Sequence, residues 1–74
     1  MSHATDHVGS MAELRQRARA AAERVNAEHR GKLSIREARC IDALLARQPG
    51  KALAIECEAV LHLANRVGAT EEHH

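Results

Sequence analysis

The chain has 74 residues, a net charge of +1 from eleven basic and ten acidic side chains, and no Phe, Tyr or Trp. That length holds one domain, and a chain so short buries only about 60% of the surface its unfolded form exposes. The charge balance is neither the basic footprint of a nucleic-acid-binding protein nor an acidic decoy surface. No run approaches the roughly 20 apolar residues of a membrane span, and there is no signal-peptide core.

The core that this composition allows is aliphatic. Fourteen side chains are Val, Leu or Ile. Their burial is set against the ordering entropy of the whole chain, which predicts that a second copy completes the fold. Alanine is abundant, so helices can approach closely, but each alanine buries little area. The Ala- and Arg-rich composition is that of a GC-rich bacterial, plasmid or phage gene. Cys40 and Cys57 do not make a disulfide framework and read as the free thiols of a cytoplasmic protein.

Residues 1–10, MSHATDHVGS, have no hydrophobic period and are expected to form a flexible arm. The Gly9-Ser10-Met11 junction resembles the scar of a cloning tag ahead of a native start. Ser10, with Glu13 three residues on, reads as the capping box of a first helix over residues 11–30. Its seam is Met11, Leu14, Ala18, Ala21 and Val25, at helical spacing. Arg15, Arg19, Glu23 and Asn26 occupy the other side, where Arg19 and Glu23 stand four apart and can pair.

Gly31 is the expected stop, in the left-handed conformation of a C-cap. Ser34 and Glu37 form a second capping box, S-I-R-E, which opens a helix over residues 35–48. Leu33 is placed to staple onto Ala38. The apolar arc of this helix is Ala38, Ile41, Leu44 and Leu45, with Ile35 at one edge and Cys40 nearer the polar side. Pro49 and Gly50 end it, because proline lacks an amide hydrogen and disfavours helical geometry at Gln48. The third helix is expected over residues 51–67. Its seam, Leu53, Cys57, Val60, Ala64 and Val67, keeps spacings of four, three, four and three, as in helices packed lengthwise. Gly68 ends it, and residues 69–74 read as a polar tail. The expected fold is all-α, within a single domain over residues 11–68. It is a small three-helix bundle, or a helical hairpin with an extra helix, assembled as a dimer. Aspartate at Leu53 or Val60 is expected to break it, whereas Glu56→Ala is expected to be tolerated.

Three functional readings follow. The first is a small regulatory or adaptor protein that binds another protein and itself, using Leu14, Ala18, Ala21, Val25, Leu53, Val60, Ala64 and Val67 as the contact seams. The second is a dimeric DNA-binding regulator. Arg15, Arg19, Lys32, Arg36 and Arg39 would face phosphate, or the second and third helices would act as a helix-turn-helix with Lys51, Ile55, Glu58, His62 and Arg66 outward. Residues 51–67 carry no net charge, and Glu13, Glu23 and Glu28 dilute the arginines of the first helix, so phosphate binding is not favoured. The third is a metal or redox sensor using Cys40, Cys57 and His62, against which the sequence shows no CxxC, HExxH or in-helix HxxxH spacing. A cysteine in a helical seam is more often a small core residue. No nucleophile motif or phosphate-cradling loop is present, so neither an enzyme nor a bound cofactor is expected.

Overall fold

The computed structural model describes residues 3–69, with backbone alone for residues 3–10 and Pro49. Three α-helices carry the fold: α1 (His3–Arg24), α2 (Ile35–Ala46) and α3 (Ala54–Val67). A π-helical turn (Val25–His29) and a 3-10 turn (Arg30–Lys32) join α1 to α2, and a second 3-10 turn (Pro49–Lys51) precedes α3. There is no strand among the described residues, and no described helix is long and apolar enough to cross a membrane.

The helices run up, down and up. Ion pairs join Glu37 near the start of α2 to Arg66 near the end of α3, and Arg47, just past α2, to Glu56 in the first turn of α3. These two helices are therefore antiparallel. α1 lies along both, packed most extensively on α3. Arg15 and Arg19 of α1 reach the α2–α3 connection at one end, and Arg30 in the 3-10 turn after it reaches Asp42 at the other. The long dimension of the molecule is 44 Å and the short one 16 Å, a thin body for helices about 10–12 Å across with their side chains.

The spacing of the apolar residues explains the core. Ala18, Ala21, Ala22 and Val25 from α1 and the turn after it meet Ile41 and Leu44 from α2. Cys57, Val60, Leu63, Ala64 and Val67 of α3 close the cluster, with Ala52 and Ala69 at its ends. Six of these thirteen buried residues are alanines, so the backbones come close while the enclosed apolar volume stays small. No polar or charged residue is buried among the described residues.

The helix ends show where the sequence reading holds and where it needs correction. The Ser34–Glu37 box forms as expected: the Glu37 amide donates to Ser34 Oγ at 3.1 Å, and the Ser34 amide donates to Glu37 Oε1 at 2.9 Å. Gly68 takes the left-handed conformation, at φ +81°. The amides of Gly68 and Ala69 donate to the carbonyls of Asn65 and Ala64, the double bond pattern of a Schellman end. Ala69, expected in the polar tail, is buried there. The rest of that tail, residues 70–74, lies outside the described residues.

The start of α1 is not at Ser10. The helix runs from His3, which places the Ser10 backbone inside it and not at an N-cap. Residues 3–10 contain no proline, and extending an existing helix gains one backbone bond per residue fixed. Gly31 is not a left-handed cap either, since Gly68 is the only described residue with positive φ. The π and 3-10 turns close the end of α1 instead.

α3 begins three residues later than expected. Gln48 is extended ahead of Pro49, and Ala52 and Leu53 are extended after the 3-10 turn. Leu53 is therefore the residue before the helix, and Glu56 Oε1 accepts its amide hydrogen at 3.0 Å. Its side chain is 53% exposed, not part of the seam. Ala52 is buried in that place.

Candidate functional site

Three arginine–carboxylate pairs lock the elements in position. Arg30 holds Asp42 through two bonds, at 2.8 and 2.9 Å, and also donates to Asn26. Arg47 makes two bonds to one oxygen of Glu56, at 3.0 and 2.7 Å. Arg66 Nε donates to Glu37 Oε2 at 2.9 Å, and a second guanidinium N–H reaches Oε1. The Ser34 amide, aided by Arg66, holds the Glu37 carboxyl below the usual carboxylate range. The Leu53 amide and Arg47 do the same for Glu56, and Arg30 does so for Asp42. All three carboxylates thus serve as latches between elements, and Glu37 and Glu56 also cap their own helices.

On the side turned away from α1, α2 and α3 enclose an open cleft of about 480 Å³, with an adjoining one of about 390 Å³. Cys40 and Ala43 of α2 and Ile55, Ala59 and Leu63 of α3 supply the apolar surface. Arg36 and Arg39 edge the α2 wall, and Glu58 and His62 edge the α3 wall. Ile55 is 72% exposed, and Ile35 at the start of α2 is 78% exposed. Of the outward face of the third helix read from sequence, Ile55, Glu58, His62 and Arg66 line this cleft, whereas Lys51 lies in the 3-10 turn before the helix and does not. Ile55 does not stand out in the sequence as part of an apolar surface, because it lies among charged residues on that face; Ile35 lines neither cleft.

The eight expected contact residues are distributed differently. Ala18, Ala21, Val25, Val60, Ala64 and Val67 are buried in the core of the single chain. Leu14 is partly buried against that core, and Leu53 is exposed at the head of α3. Six of the eight thus already cover one another within one copy.

The residues considered for metal do not converge. Cys40 and His62 line the same cleft, but Cys57 is fully buried behind it. Burial pushes the Cys57 thiol up, away from thiolate. Among the described residues, no three His, Cys, Asp or Glu side chains stand close enough to hold a metal ion.

The residues considered for phosphate are split. Arg15 Nε donates to the Ala52 carbonyl at 2.9 Å, and Arg19 donates to the Arg47 carbonyl while lying 3.6 Å from Glu23. Both fasten α1 to the α2–α3 connection. Lys32, Arg36 and Arg39 are exposed, the last two at the cleft. No pattern in the sequence marks the π-helical turn or the burial of the His29 ring at its end. His29 is half-buried, and its Nδ1 is enclosed without a hydrogen-bond partner. No protein-family model, curated protein or solved structure matches the chain.

Proposed function

We propose that this chain is a small helical regulatory or adaptor protein that works by binding protein, including itself, through the cleft between α2 and α3. One observation carries the reading: an apolar floor of Cys40, Ala43, Ile55 and Ala59 lies open between α2 and α3, with Ile55 72% exposed to water. A floor of Ile, Ala and Cys with charged edges suits a helix laid into a groove. Glu37 and Glu56 beside the cleft are engaged by arginine, and a binding protein needs no cofactor. Two unpaired cysteines suit the reducing cytoplasm.

The test is a photo-crosslinking amino acid placed at Ile55, compared with one at Arg17 on the exposed side of α1, in the native host. Covalent protein adducts are expected from position 55 only, and Ala59→Arg in the same chain should remove them. No adduct at position 55, or equal adducts at both positions, would overturn the reading.

A further inference from the structure

We infer that the occupant of the α2–α3 cleft is a second copy of this chain, packed about a two-fold axis that runs along the cleft. The inference rests on the reading of the cleft as a protein-docking surface and adds what docks there.

The charges on the two walls carry it. Half of the charged groups lining the cleft are already neutralised within the chain: Glu37 and Arg66 by each other, and Glu56 by Arg47. Arg36 and Arg39 on the α2 wall have no carboxylate partner among the described residues, and Glu58 on the α3 wall has no cation partner. Within one copy these unmatched charges stand on opposite edges of the cleft. A two-fold axis along the cleft sets each α2 wall on the α3 wall of the other copy, because such contacts are reciprocal. Arg36 and Arg39 of each copy then meet the wall that carries Glu58, and the match is made twice. A foreign helix would need its own acidic and basic edges placed to suit; a second copy brings them.

The apolar residues agree with the same arrangement. α2 and α3 are antiparallel, so Ile55, in the first turn of α3, stands at the end of the cleft where Ala43 of α2 lies. Pairing about the axis lays Ile55 over the Ala43 end of the other copy's α2. Ala43 and Ala59 are small and exposed, which lets the helices approach. Cys40 lies in the middle of the covered strip.

Sedimentation equilibrium of the purified chain, over a hundredfold range of concentration, tests this. The average mass should rise from one chain toward two. Arg39→Glu and Glu58→Arg should each weaken pairing about tenfold, and the double swap should restore most of it. Ile55→Arg should leave one chain at every concentration with its helical circular dichroism intact. Cys40 should react more slowly with a thiol reagent as concentration rises. A wild-type chain that stays single throughout would overturn the inference, and so would pairing that is indifferent to Ile55→Arg and to both charge swaps. In the first case, adducts to a different protein from position 55 would leave the docking reading standing. Absence of any adduct would remove both.

Discussion

Leu53, Ile55 and Cys57 sit two apart on the page, yet their environments have little in common. Cys57 is fully buried, Leu53 half in water and Ile55 mostly so. The four-three rhythm of apolar residues placed Cys57 correctly, because that spacing depends only on the helical period. The same rhythm misplaced Leu53, because it assumed that the helix had already begun. Leu53 ends an extended step after the 3-10 turn, and its own side chain offers nothing to the orphan amides of the first turn. Leu53→Asp, expected from the sequence to break the fold, should therefore raise the unfolding free energy by about 0.5–1 kcal/mol, the range in which a capping carboxylate improves on an apolar residue. Urea denaturation of the two chains measures it. A loss of stability would return Leu53 to the core.

At the scale of elements, the ends of the helices were legible where a side chain does the capping. S-I-R-E reads as a box in the sequence and is one in the structure. The π turn that closes α1 was not legible, because no local pattern in the sequence announces it. The latches across elements were equally hidden: Glu37 and Glu56 are read as caps, but their second partners, Arg66 and Arg47, come from distant sequence or from outside the helix. These carboxylates give a pH dependence with a definite sign. Glu37, Asp42 and Glu56 are all held below the ordinary carboxylate value in the folded chain. Folding therefore binds fewer protons than unfolding in acid, and stability falls as protons are added. The contribution is complete at neutral pH. It starts to fade near the unfolded carboxylate values, roughly pH 4, and is lost as the pH drops through the lower folded values. The thermal midpoint should be flat from neutral down to weak acid and then decline. Glu37→Gln with Glu56→Gln should lower the neutral plateau and flatten the acid limb. An acid limb unchanged by both substitutions would show that the latches contribute nothing.

For the whole molecule, three helices and their order followed from periodicity, capping and the Pro49-Gly50 break, all local signals. Which apolar residues face inward and which face a partner did not follow, because a helical seam looks the same whether its cover comes from the same chain or from another. The structure separates the two sets: Val60 is packed among α1, α2 and α3, and Ile55 lies on the open face. Val60→Asp places a carboxylate in a core with no buried polar group to receive it, at a cost of several kcal/mol. That is a large fraction of the roughly 5–15 kcal/mol that holds a small domain together. A thin core with six alanines among its thirteen members has little margin, so Val60→Asp should abolish the cooperative thermal transition. Ile55→Arg changes an exposed site and should shift the stability of the single chain by less than about 0.5 kcal/mol. Circular dichroism melts at a concentration low enough to keep the copies apart compare the two variants without a contribution from pairing. If Ile55→Arg unfolds the isolated chain as Val60→Asp does, the α2–α3 face belongs to the core and not to a partner.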